Sequence, residues 1–140
     1  MPTARELMTP GPVTVPVTAK VQKAVEILHT AEVRHLPVVD EEGNLVGMLS
    51  DRDLRALSLP VFVGDEHVAS LRTALNAPVS TLMNSDVVSV ESEADVSEVI
   101  ELMLDNKIGA VPVTDADGLL TGIVSYVDIL RALPFETEGD

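Results

Sequence analysis

Gly47-Met48-Leu49-Ser50-Asp51-Arg52-Asp53 returns further along the chain as Gly122-Ile123-Val124-Ser125-Tyr126-Val127-Asp128, at an offset of about 75 residues. Extending outward from this pair without a gap aligns Pro37-Val38 with Pro112-Val113, and Asp40 and Gly43 with Asp115 and Gly118. Val13-Thr14-Val15 then meets Val88-Ser89-Val90, and Leu7-Met8 meets Leu82-Met83. About fifteen identities hold one frame over about 47 positions, which chance does not arrange. The chain reads as repeat 1 over residues 1–60, a connector over 61–78, repeat 2 over 79–133 and an acidic tail over 134–140.

Each repeat carries the same periods. Val13 to Val15 reads as a short strand, and Thr18 as the N-cap of a helix from about Lys20 to Ala31. Val21, Ala24, Val25 and Leu28 stand at i, i+3, i+4 and i+7, and Val96, Val99, Ile100 and Met103 repeat the stripe, so both helices are expected to bury one face. Leu36 to Val39 and Leu45 to Ser50 are β-rich runs joined by Asp40-Glu41-Glu42-Gly43-Asn44, a hairpin turn. A second helix begins near Asp51 and near Tyr126. The order is β-α-β-β-α in each copy, an α/β (α+β) fold, and sheets this small are expected to pair to bury both faces. In the connector, Gly64-Asp65-Glu66 starts a short amphipathic helix with Val68, Leu71 and Leu75 on one face and Asn76 as its stop. That helix either covers core or serves as a lid or docking element.

The composition narrows the function. The chain has 140 residues, a formal net charge of -14, 46% hydrophobic and 2% aromatic residues, and no cysteine. Its length fits one compact domain, which at this size buries roughly 68–70% of the unfolded surface. Thiolate chemistry, disulfides and Cys-ligated zinc are excluded. The acidic balance and scarcity of rings argue against nucleic acid as a partner. No apolar stretch reaches the roughly 18 residues of a membrane span, so a cytoplasmic protein is expected, with no membrane partner.

Ser50 and Asp53, like Ser125 and Asp128, stand three residues apart where a strand enters a helix. One reading is a capping box, in which the hydroxyl accepts from the Asp N–H while the carboxylate takes the Ser N–H. The other uses the same turn to hold an anion, with Ser donating to a phosphate and Asp accepting from a ribose diol. The two can coexist. Around Ser50 stand Arg34, His35 and Arg52, where the second copy has Gly109, Ala110 and Val127. The cations favour a phosphorylated ligand in the first copy, whereas surface solvation is their ordinary role. His29, His35 and His67 lack the spacing of a metal site, and His29 reads as a partly buried helix residue. No nucleophile with an adjacent base, nor a split carboxylate pair, can be assembled, so no catalytic residue is expected.

Arg34-His35-Leu36-Pro37-Val38-Val39-Asp40, Gly43 and Gly47 through Leu54, echoed by Gly109 through Asp115 and Gly122 through Ile129, resemble the CBS domain, the family named after cystathionine β-synthase. The likeness spans about 100 of the 140 residues, in tandem. It implies two β-α-β-β-α repeats packed through their small sheets with pseudo-two-fold symmetry, two clefts between them, and a homodimer. It also implies an adenosyl ligand, AMP, ADP, ATP or S-adenosylmethionine, and no catalytic cofactor. Carried over by position, Ser50 and Ser125 would lie near phosphate and Asp53 and Asp128 on ribose hydroxyls. The base would rest against Val13 and Val33 in one cleft and Val88 and Ile108 in the other, flanked by Met8 and Met83. Arg34, His35, Arg52, Gly109, Ala110 and Tyr126 complete the ligand-binding set.

Three functions follow in order. The first is a non-catalytic sensor of adenosyl ligands acting in trans, because the repeats use nearly the whole chain, with a protein partner reading the change. The second is an adaptor whose clefts are unused. An enzyme is a distant third.

Overall fold

The computed structural model describes residues 2–55 and 65–132. The acidic tail and the start of the connector, including Gly64, lie outside the described residues, as does the side chain of His67.

Where length alone suggests one compact domain, the chain forms two compact units, each with its own hydrophobic cluster. One unit comprises residues 13–87, and the other joins residues 1–12 to residues 88–140. The segment that leads each repeat therefore belongs to the unit built around the other repeat.

In the unit of residues 13–87, β2 (Val15–Pro16) leads into α2 (Val21–Ala31), followed by β3 (His35–Val39), β4 (Leu45–Ser50) and α3 (Asp51–Arg55). β3 is central, parallel to β2 and antiparallel to β4. At the β3–β4 turn the Asp40 carboxylate accepts the Glu42 and Asn44 N–H groups at 3.0 and 2.9 Å, while Gly43 takes φ 89°. A residue without Cβ is needed there. The connector helix α4 (Asp65–Asn76) forms as its period suggests. It packs against α2 with Val68, Leu71 and Leu75 partly buried, which supports a covering role.

The other unit begins with a one-turn helix, α1 (Ala4–Leu7), closed by a capping box of Thr3 and Glu6. β1 (Thr9–Pro10) follows and pairs with the edge of β7 (Leu120–Ser125). β5 (Val90–Glu91), α5 (Val96–Asn106) and β6 (Ala110–Thr114) precede β7, and α6 (Tyr126–Ala132) follows it. The sheet order is β1-β7-β6-β5. In the first unit Asn84 bridges Met48 on β4 at the position that Thr9 takes on β7, so the edge partner is supplied the same way.

The cores match position for position. Val15, Ala24, Leu28, Leu36, Val38, Leu49 and Val79 are buried in one unit. Their counterparts Val90, Val99, Met103, Val111, Val113, Val124 and Ala4 are buried in the other. Burying each Val or Leu contributes about 1.5–3 kcal/mol.

Three local expectations are corrected. The first helix starts at Val21 after Lys20, without a side-chain cap from Thr18, because the Ala77 carbonyl accepts the Val21 N–H at 2.9 Å. The Pro2 carbonyl accepts the Val96 N–H of α5 in the same way, at 3.0 Å. Val25 is 38% exposed rather than part of the buried stripe. His29 is exposed rather than partly buried, and its counterpart Leu104 is 71% exposed, because both follow the last buried residue of the stripe by about 100° of helix. Among the described residues no helix is long and apolar enough to cross a membrane.

Candidate functional site

The two Ser/Asp motifs sit where β4 enters α3 and where β7 enters α6, and each closes as a capping box. The Ser50 N–H donates to Asp53 Oδ2 at 2.8 Å, the Ser50 hydroxyl donates to the same oxygen at 3.0 Å, and the Asp53 N–H donates to Ser50 Oγ at 3.2 Å. Ser125 and Asp128 make the same three bonds at 2.8, 3.0 and 3.2 Å. The capping reading is thus observed in both copies. Oδ1 of each aspartate stands outside these bonds.

Backbone pairing fixes what surrounds each box. Ser50 is opposite His35 in the β3–β4 ladder, and the Arg34 carbonyl accepts the Asp51 N–H at 2.8 Å. Ser125 is opposite Ala110, and the Gly109 carbonyl accepts the Tyr126 N–H at 2.9 Å. These bonds consume the first helical N–H of α3 and α6. With the Asp53 and Asp128 N–H groups also bonded within the boxes, few helical N–H groups are left for a ligand oxygen.

The unit of residues 13–87 contains Val33, Arg34, His35, Ser50, Arg52, Asp53 and Met83, with Val13 44% exposed at its start. Val33 and Met83 pack against the core, Ser50 and Asp53 are partly buried, and Arg34 and Arg52 are exposed. His35 is partly buried. Burial, reinforced by the Arg34 guanidinium, holds it below the ordinary histidine range against the opposing pull of Asp51 and Asp53. It is neutral near pH 7.

The other unit holds Met8, Val88, Ile108, Gly109, Ser125 and Asp128 partly buried, Ala110 only 4% exposed and Tyr126 41% exposed. Met8 thus belongs with Ser125, and Met83 with Ser50. Met83 lies on Gly47 and Met8 on Gly122, where an added Cβ would collide with the thioether sulfur. Sequence reasoning aligned these glycines without seeing that close approach requires them. It also missed the ion pair of Arg55 with Asp51 at 3.4 Å, although an i, i+4 spacing of Asp and Arg signals one. Among the described residues no group of three His, Asp or Glu side chains could hold a metal ion.

Comparison with known proteins places the chain in a family. The model of the CBS domain matches residues 4–60 and 79–134. A CBS domain-containing protein of Dictyostelium discoideum is 32% identical over 129 residues, 92% of this chain and 89% of that one. The crystal structure of CBSX2 in complex with AMP superposes with a TM-score of 0.79 at 31% identity, covering 94% of this chain and 96% of that one. The CBS domain pair of protein MJ0100, in complex with 5'-methylthioadenosine and S-adenosyl-L-methionine, superposes with a TM-score of 0.74 at 26% identity, covering 92% and 93%. Other curated relatives are longer, and the chain spans 22% to 60% of their length.

Proposed function

The chain belongs to the CBS-domain family, and on that premise we propose that it is a non-catalytic regulatory module. It binds an adenosyl ligand (AMP, ADP, ATP or S-adenosylmethionine) at the Ser50/Asp53 and Ser125/Asp128 sites. The observation that carries this reading is the pair of equivalent Ser/Asp boxes, with bond lengths equal to a tenth of an ångström, at the strand-to-helix turns. Two relatives solved with AMP, and with methylthioadenosine and S-adenosylmethionine, support the ligand class.

The box suits a nucleoside. A ribose diol donates to Asp53 or Asp128 through the oxygen left outside the box. Each serine can turn its proton from the aspartate to a ligand oxygen and still accept the helix N–H, exchanging one hydrogen bond for another. Val13, Val33 and Met83 on one side, and Val88, Ile108 and Met8 on the other, give the base apolar area without aromatic stacking.

Signalling requires unequal binding to two states, and a homodimer in the cytoplasm whose packing shifts with ligand supplies them. A protein partner reads the shift. Sedimentation of the full chain with and without saturating AMP or S-adenosylmethionine tests this, and a ligand-dependent change in mass or shape is expected. Binding by calorimetry with no change in either would leave a site that signals nothing and overturn the sensor.

The second reading is an adaptor with unused sites. It is favoured by the boxes being closed on themselves, since Ser50 and Ser125 already use both donor and acceptor.

A further inference from the structure

The two boxes share a geometry but not a charge. Around Ser50 the positions 34, 51, 52, 53 and 55 hold Arg34, Asp51, Arg52, Asp53 and Arg55, three cations against two anions, a net of +1. The equivalent positions 109, 126, 127, 128 and 130 hold Gly109, Tyr126, Val127, Asp128 and Leu130, a net of -1. The local contrast is two charges, in a chain of net charge -14 that otherwise repels anions.

We propose that the unit of residues 13–87 takes the phosphate-bearing adenosyl ligand, and that the unit holding Ser125 and Asp128 takes an adenosyl group without phosphate. This rests on the adenosyl reading above and assigns the ligand class of each site. Backbone bonds fix where both arginines leave the chain, because the Arg34 carbonyl accepts the first N–H of α3 and Arg52 directly precedes Asp53, while their side chains are exposed. Two guanidinium forks can meet a phosphate bidentately, which Gly109 and Val127 cannot do. Valine and tyrosine at 127 and 126, 36% and 41% exposed, instead offer apolar area to an uncharged substituent.

His35 adds a signature. It is partly buried among Arg34, Arg52, Asp51 and Asp53, and neutral near pH 7. A phosphate dianion beside it favours the imidazolium, so binding there draws a proton from solution. Ala110 occupies the equivalent position and cannot take one up. Arg131, exposed in the last turn of α6, is the basic residue of that helix and is included in the test.

The test is calorimetry of the full chain with adenosine, AMP and ATP at pH 7, in two buffers of different ionisation enthalpy. Asp128→Asn isolates the Ser50 site and Asp53→Asn isolates the Ser125 site. With Asp128→Asn, AMP and ATP bind at least about tenfold tighter than adenosine and with proton uptake, and Arg34→Ala or Arg52→Ala removes about tenfold of that preference without moving adenosine. With Asp53→Asn, adenosine binds at least as tightly as AMP. Should either Asn variant unfold, Arg52→Ala and Val127→Arg in the intact chain carry the test, the first lowering and the second raising the preference for AMP over adenosine. Equal AMP-to-adenosine ratios at both sites overturn the charge sorting alone. A phosphate preference at the Ser125 site that Arg131→Ala abolishes does the same. Failure of the wild type to bind any of the three, or ADP or S-adenosylmethionine in the same calorimetry, overturns the adenosyl reading, and this assignment with it.

Discussion

Met83 lies over Gly47 so closely that no Cβ fits at that glycine, and Met8 covers Gly122 in the same way. Neither glycine is required for a left-handed backbone. Both are required because a methionine from the segment leading the other repeat is seated on strand β4 or β7. Each unit is thus completed by the segment that leads the other repeat, residues 1–12 in one and 79–87 in the other, which also supplies an edge pairing.

Gly47→Ala is therefore expected to cost about 1–3 kcal/mol of stability, the range of an overpacked core position. Gly122→Ala should cost more, because Met8 Cβ itself would stand 3.1 Å from the new methyl and cannot swing away as a chain end can. Denaturant unfolding of Gly47→Ala, Met83→Ala and the double variant checks the assignment. The two costs should fall short of additive, since the second removal relieves the first.

The Ser/Asp boxes have a stability role that exists without any ligand. Asp53→Ala and Asp128→Ala should each lower stability by about 0.5–2 kcal/mol, the usual worth of a helix cap. Because the bonds in the two copies have the same lengths, similar losses are expected in ligand-free protein. Ligand-free unfolding that leaves both variants at the wild-type value would show that the boxes do not cap.

Glu32 and Lys107 end α2 and α5 in the left-handed conformation, at φ 56° and 55°. For residues with a Cβ this costs roughly 1–2 kcal/mol. Glu32→Gly should raise stability by about 0.5–1 kcal/mol, against the ordinary penalty for glycine. Lys107→Gly should gain less, because a lysine at a helix C-terminus already interacts favourably with the dipole whereas a glutamate does not. The melting temperatures of the two variants give the comparison.

Stability should also depend on pH through His35. Its folded pKa lies below the unfolded value, so the unfolded chain binds the proton first as pH falls. The contribution is complete above the unfolded pKa of about 6.5 and is lost as pH drops through the folded value. Asp40, whose carboxyl is lowered mainly by the Asn44 N–H, acts only in the more acidic carboxylate range. Urea unfolding at pH 7.5 and 5.5 should show a decline in wild type that His35→Gln flattens. An equal decline in the variant would assign the effect elsewhere.

Much of this was legible in the residues. The repeat frame located both hairpins, both second helices and both Ser/Asp turns, because the Asp-Gly turns and the i, i+3, i+7 stripes are local signals. The connector helix was legible for the same reason. The exchange of leading segments was not, since a repeat alignment pairs Met8 with Met83 but carries no information on which sheet each one joins. The capping of Val21 by the Ala77 carbonyl was hidden likewise, and Thr18 was the only local candidate. Glu32 and Lys107 are not helix-stop residues by type, yet both helices close there through local backbone bonds, in which the Val33 and Ile108 N–H groups donate to the Leu28 and Met103 carbonyls at 3.3 and 3.1 Å. Val25 and His29 mark where a helical stripe over-reads burial by one position. At the site, the capping geometry was foreseen, while the collision that explains Gly47 and Gly122 needed three-dimensional contacts.

The central claim is that this chain binds adenosyl compounds at the Ser/Asp turns. Its most direct test is thermal unfolding of extensively dialysed, nucleotide-free protein with AMP, ADP, ATP and S-adenosylmethionine, with GTP as the control. At about 100 times the dissociation constant a single site adds roughly 2.7 kcal/mol, equivalent to roughly 5–10 °C for a chain of this size. The account predicts that shift for at least one adenosyl compound, none for GTP, and its reduction in Asp53→Asn or Asp128→Asn. An unchanged melting temperature with every adenosyl compound, or an equal shift with GTP, contradicts it.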